Sequence, residues 1–319
     1  MSFEKILGQE KAIGMLKGYL ESTRLSGGYL FLGPEGVGKK LASLELAKAL
    51  NCQQDLPNAC DKCVSCRKID NNQHPDIHFI TKEDDEIKIE DIRNLQKEIS
   101  FRPYEGRKKV FIIDNAHKLT IEASNALLKV LEEPPESSLI ILISNKSSLL
   151  LKTIVSRCKA LKFSSLMREE VKNILQSDYK LEIDKAHFLA YFSEGQLGRA
   201  LKLKDTDIFT EKNVVIDKFI LAEKPCVDSL SSKNKTEIVS WLNIAVTWFR
   251  DIYLKKAGME ETELIHYDRR KEVERFADIY SFTYLNQVFE SLSKSVLYLG
   301  QNINARLLLY ELASGFTSR

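Results

Sequence analysis

The sequence predicts an α/β domain, a parallel sheet sandwiched between layers of helix, followed by segments that are helical throughout. Three observations predict it. Tyr29 to Leu32 is an apolar run that enters the glycine-rich loop Gly33-Pro34-Glu35-Gly36-Val37-Gly38-Lys39-Lys40 and leaves it into Leu41, Leu44, Ala47 and Leu50 at helical spacing. Val110 to Ile113 and Leu139 to Ser144 are short apolar runs without polar alternation, as expected of strands covered on both faces. From about Asp205 onward the apolar residues recur at helical spacing and no strand pattern is present.

In order, Phe3 to Gln9 leads into a helix marked by Ala12, Leu16, Tyr19 and Leu20, expected to end near Gly27 and Gly28. The loop that follows the first strand satisfies the G-x-x-x-x-G-K phosphate-loop (P-loop) pattern. Its glycines let backbone N–H groups approach an anion, the helix N-terminus faces that anion, and Lys39 reaches it. The next position departs from the full pattern. Where Ser or Thr would offer a hydroxyl to Mg²⁺ beside the phosphates, this chain has Lys40, which cannot ligate a metal while protonated. The residues leave both a loop that holds ATP and one that does not open; the helix after it should run to about Asn51.

Four of the six cysteines, Cys52, Cys60, Cys63 and Cys66, fall in one short window with the pattern C-x₇-C-x₂-C-x₂-C. In a chain expected to be cytosolic, such clustering points to a metal rather than to disulfides, and four thiolates at this spacing suit tetrahedral Zn²⁺. Four protein ligands leave no open coordination position, so the zinc is expected to staple a loop. His74 and His78 just beyond are expected to be structural.

Ile77 to Thr81 should be a short strand, Glu83 to Glu86 a turn, and Ile87, Ile89, Ile92, Leu95 and Ile99 one face of a helix. The strand through Val110 to Ile113 ends in Asp114-Asn115. In an active ATPase of this kind the strand ends Asp-Glu, with the Asp serving Mg²⁺ and the Glu polarising the attacking water. Asn115 cannot take that proton, so competent hydrolysis is not expected. A helix from Ile121 to Glu133 is ended by Pro134-Pro135. Next come a strand ending at Ser144 with Asn145 beyond it, a helix through Leu149 to Val155 that delivers Ser156-Arg157-Cys158, and an edge strand through Leu161 and Phe163.

The string Asn125-Ala126-Leu127-Leu128-Lys129-Val130-Leu131-Glu132-Glu133-Pro134-Pro135, with Ser156-Arg157-Cys158 after it, resembles the AAA+ subunits of sliding-clamp loaders. The cysteine insert before His74-Pro75-Asp76 is similar to the bacterial members. The resemblance implies that Arg157 is an arginine finger acting in trans on a neighbouring subunit's ATP, that Asn145 stands at a first sensor position, and that Arg199 opens a second-sensor helix within Gly195 to Ala200. A degenerate nucleotide site would then comprise Gly33, Pro34, Glu35, Gly36, Val37, Gly38, Lys39, Lys40, Asp114, Asn115, Asn145 and Arg199. Cys158 would be a packing residue. The implied domains are 1–165, the P-loop domain with the zinc module at 52–66; 166–204, a helical lid; and 205–319, a helical collar closed by a helix from Asn302. The implied partners are gamma/tau and delta subunits in a hetero-oligomer, the sliding clamp, and primer–template DNA through the complex. Two other readings compete: an active gamma/tau-type ATPase, which predicts Ser or Thr at 40 and Glu at 115, and an AAA+ regulatory or DNA-binding module outside replication.

With 319 residues, 44% hydrophobic and 29% charged, the chain has length for roughly two or three domains. No apolar run approaches the about 18 residues of a membrane span, and Met1 to Leu7 lack a signal pattern, so a cytoplasmic protein is expected. A formal charge of +2 is nearly balanced and does not imply a large basic surface for tight autonomous binding to DNA.

Overall fold

The computed structural model describes residues 3–21, 25–54, 59–82, 85–222, 227, 234–301 and 304–317. Two compact units emerge, Met1–Leu166 and Met167–Arg319. Among the described residues no helix is long and apolar enough to cross a membrane.

The first unit is built on a five-stranded sheet of β1 (Gly27–Leu32), β2 (Ile77–Ile80), β3 (Lys109–Ile113), β4 (Ser138–Ser144) and β5 (Cys158–Lys162), in the order β2-β3-β4-β1-β5. Every pairing is parallel. All residues of β3 and β4 are buried, which is why their sequences lack alternation. Alternate residues serve opposite faces. Tyr29, Phe31, Val110, Ile112, Leu139 and Ile141 pack with Leu16 of α1 (Glu10–Glu21) and with Ala42 and Leu46 of α2 (Lys39–Asn51). Leu30, Phe111, Ile113, Ile140 and Leu142 pack with Ile92 and Leu95 of α4 (Ile89–Ile99), Leu127 of α5 (Ile121–Glu132) and Ile154 of α6 (Lys152–Arg157). Helix α3 (Val64–Asp70) lies in the cysteine insert.

β1 lies between β4 and β5, so the chain runs out to β2 on one side and returns across β1 to reach β5 on the other. Open parallel sheets bind ligands at such a reversal, beyond the carboxyl ends of the strands. The loop Gly33–Gly38 sits there. A Cβ on Gly33 would come within 2.1 Å of the Phe163 carbonyl oxygen, and Gly38, the residue before α2, has a left-handed φ of 95°.

The parallel sheet, its flanking helices and the helical second unit are as expected, with local differences. Gly27 and Gly28 open β1, while α1 ends at Glu21. Ile87 makes an isolated bridge to Leu119, and α4 begins only at Ile89, where Asp91 accepts from the Lys88 N–H. Of the expected acidic turn, Glu83 and Asp84 lie outside the described residues. The helix expected from Leu149 is divided into a 3₁₀ turn, Ser147–Leu149, and α6, because Leu150 and Leu151 are extended and Leu150 turns into the core.

The second unit is helical: Arg168–Ser177, Ile183–Phe192, Leu197–Lys204, Ile208–Val215, Lys235–Lys256, Arg270–Ile279, Phe282–Gly300 and Ala305–Thr317. Ile244, Ala245, Trp248, Phe249 and Ile252 are wholly buried, so the aromatic stripe of the longest helix is core. Asn302 and Ile303, where the closing helix was expected to start, lie outside the described residues.

Candidate nucleotide site and metal centre

Lys39 begins α2 and is almost fully buried. Its Nζ donates to the Gly33 carbonyl at 2.6 Å and also to that of Pro34. Burial pulls its pKa down to about 8, with Asp114 and Glu35 opposing the change, so it remains largely charged at neutral pH. Lys40 is 56% exposed and its Nζ lies 4.0 Å from Asp114 Oδ2. The same ammonium stands 6.0 Å from the Phe79 ring centroid. Asp114 follows β3, and its Oδ1 accepts from the Asn115 N–H at 2.9 Å. Asn115 has φ 55°, a left-handed conformation that Asn tolerates better than most residues. Its presence therefore has a local backbone reason as well as a chemical consequence.

Ser144, buried at the end of β4, was not singled out by sequence. Its hydroxyl accepts from the Lys146 N–H at 3.1 Å and lies 3.4 Å from His117 Nδ1. Burial, then Lys146 and Lys118, hold the His117 pKa below its ordinary value, so this ring is neutral at neutral pH. Asn145 follows Ser144 and is exposed. Neither Ser144 nor His117 belongs to the loop pattern; the strand end was the available signal. Arg199 belongs to the second unit, where its guanidinium lies 5.5 Å from the Phe192 ring centroid.

Arg157 is the last residue of α6, about one third exposed, with Nη2 2.7 Å from Glu132 Oε1 and Nη1 donating to the Thr153 carbonyl at 3.1 Å. Cys158 opens β5, and burial pushes its thiol up to about 12. A thiol so little ionised is no nucleophile. Its Sγ lies 2.8 Å from where a Cβ on Gly28 would stand, so it packs against β1.

The Sγ atoms of Cys52, Cys60, Cys63 and Cys66 all lie within 4.8 Å of one another, a cluster that can hold a metal ion. Cys52 follows α2, and Cys63 precedes α3, where its sulfur accepts from the Cys66 N–H at 3.4 Å. The Cys60 sulfur accepts from Cys63 N at 3.3 Å and Lys62 N at 3.5 Å, and the N–H groups of Lys62 and then Cys63 bring its pKa to about 6. Four convergent sulfurs, two of them (Cys60 and Cys63) already accepting backbone N–H bonds that favour thiolate, fit Zn²⁺.

Two buried charges tie down this part of the first unit, Lys48 the cysteine insert and Asp76 the loop that precedes β3. Lys48 of α2 is fully buried, with its Nζ 2.8 Å from Glu45, 2.7 Å from Asp61 and 3.0 Å from Asp70. Asp76, also fully buried, accepts backbone N–H bonds from Tyr104, Glu105 and Gly106 at 2.7, 2.9 and 2.7 Å. His74 accepts from Asp76 N at 3.2 Å, and His78 stacks on Phe111 with ring centroids 4.6 Å apart. Both rings have structural partners.

A family model described as DNA polymerase III, delta subunit, matches residues 8–167, and one described as DNA polymerase III, delta subunit, C terminal, matches residues 224–317. DNA polymerase III subunit delta' of Bacillus subtilis is 30% identical over 282 residues, 84% of each chain. DNA polymerase III subunit tau of Escherichia coli is 35% identical over 213 residues, which are 65% of this chain but 33% of that one. Among solved structures, a DNA polymerase III gamma subunit-related protein of Thermotoga maritima has a TM-score of 0.48 and 18% identity, covering 95% of this chain and 99% of that chain.

Proposed function

The chain belongs to the DNA polymerase III delta subunit family, and on that premise we propose that it is a delta prime-type subunit of a clamp loader. It helps to open a sliding clamp and load it on primed DNA, in a hetero-oligomer with gamma/tau and delta subunits. Residues 166–204 act as a lid, and 205–319 as the collar through which subunits join. The Cys52, Cys60, Cys63 and Cys66 thiolates hold a structural zinc that shapes the insert.

The observation that carries this reading is the Lys40–Asp114 pair beside Asn115. The loop keeps its glycines and Lys39, so ATP binding is compatible with it. The helix start lacks a hydroxyl for Mg²⁺, and the strand end lacks a carboxylate to polarise water. A subunit with those two substitutions contributes to hydrolysis through what it lends to a neighbour. Arg157, at the end of a short helix and partly exposed, is the group it lends: a guanidinium that stabilises charge on a transferring phosphoryl group.

The test adds wild-type or Arg157→Ala chains to the remaining loader subunits and follows DNA-stimulated ATP hydrolysis. Loss of a finger costs about 10³-fold or more at the site it serves. Unchanged hydrolysis and clamp loading by the variant complex would overturn the reading. The similarity to tau supports a second one, an active ATPase. Sustained phosphate release by the isolated chain would favour it, whereas Lys40 and Asn115 argue against it.

A further inference from the structure

Resting on the proposed nucleotide site, we propose that this loop takes nucleoside triphosphate in its metal-free form, with the Lys40 ammonium in the place of the divalent cation. In a metal-dependent phosphate loop, the hydroxyl at the helix start and the carboxylate at the strand end hold Mg²⁺ between them. Here the side chain from the helix start is itself a cation. It stands 4.0 Å from Asp114 Oδ2, the carboxylate that would otherwise face the metal. Mg²⁺ does not fit beside it, because one ligand is missing and a like charge takes its position.

The surroundings suit a bare polyphosphate. Lys39 lies within the loop on the Gly33 and Pro34 carbonyls, bonds that a phosphate oxygen can replace. Lys146 and Lys118 add positive charge close enough to bear on His117, which Lys39 and Asp114 also reach. Lys40 itself is 56% exposed and, among the described residues, its ionic partner is Asp114 at 4.0 Å, so it can turn from Asp114 to a phosphate without loss of core packing. A metal-free triphosphate carries more negative charge than its Mg²⁺ complex, and this site supplies ammonium groups to match it.

The measurement is equilibrium dialysis of labelled ATP against the full-length chain, in buffer stripped of divalent ions by resin. No soluble chelator is used, so that the cysteine cluster keeps its metal. Repeating the dialysis with excess Mg²⁺ gives the comparison. Binding should be at least about fivefold tighter without Mg²⁺, the effect of a single unscreened charge at 4 Å in water. Lys40→Thr should reverse the preference, and Lys39→Ala should weaken binding in both buffers. Wild-type binding that requires Mg²⁺ would overturn this inference and leave the nucleotide pocket standing. No binding in either buffer would overturn both the inference and the pocket, while the role proposed for Arg157, which is measured in the assembled complex, would be untouched.

Discussion

Arg157 and Glu132 join the C-terminal ends of α6 and α5, with Nη2 2.7 Å from Oε1. The pair lies at the surface, with the guanidinium 36% and the carboxylate 50% exposed. Such a pair contributes at most about 1 kcal/mol. Its consequence is one of position: α6 ends at Arg157, the Thr153 carbonyl takes one nitrogen and Glu132 another, and the side chain stays about one third exposed.

Arg157→Lys is therefore a sharper probe than charge removal. Lysine keeps the charge but not the fork. In the assembled complex it should lose nearly as much DNA-stimulated hydrolysis as Arg157→Ala, while Glu132→Ala should change unfolding stability by less than about 1 kcal/mol. A lysine variant running at more than half the wild-type rate would mean that a point charge is sufficient.

Lys48→Met removes the cation that Glu45, Asp61 and Asp70 share. Leaving carboxylates unpaired around a buried position costs about 3–5 kcal/mol, and the exposure of Asp70 puts this case at the lower end. Urea unfolding of the variant should show a loss near 3 kcal/mol; a loss under 1 would mean that the cluster is solvated in the native state.

Asp76 predicts an acid-sensitive loop. Its N–H bonds from Tyr104, Glu105 and Gly106 outweigh the opposing effect of burial and hold its pKa below the ordinary carboxylate value. A depressed folded-state pKa gives stability that is present above the unfolded value of about 3.9 and lost as pH falls through the lower folded value. Asp76→Ala should cost about 1–3 kcal/mol at pH 7, and its gap from wild type should narrow as the pH falls below the unfolded carboxylate value of about 3.9. A gap independent of pH would assign the loss to packing instead.

The sheet was legible because β1, β3 and β4 are buried on both faces, and continuous apolar runs record that directly. The loop and the cysteine cluster were legible because their residues are close in sequence and their chemistry depends on spacing. Less visible were the features made by tertiary approach. Glu132 meets Arg157, Asp76 gathers a distant loop, and Ser144 meets His117 only once the strands are in register. Ile87 has the periodicity of its helix but pairs with Leu119, a long-range bridge that overrides the local pattern.

Cys63 carries the last prediction, because it has two separable roles. Its sulfur belongs to the four-cysteine cluster and also accepts from the Cys66 N–H as the cap of α3. Serine is a good helix cap but a poor substitute for a zinc thiolate. Cys63→Ser thus keeps the cap and removes a ligand, whereas Cys63→Ala removes both. Metal analysis of the wild-type chain should find about one zinc per chain, and the Ser variant should lose most of it. Thermal unfolding should place the Ser variant well below wild type, with the Ala variant lower again by only about 1 kcal/mol, the value of the cap. If the wild-type chain instead carried no zinc and the Ser variant kept its melting temperature, the cluster would be held together by packing alone. The N–H bonds to sulfur would then be ordinary loop geometry rather than the outer shell of a metal centre.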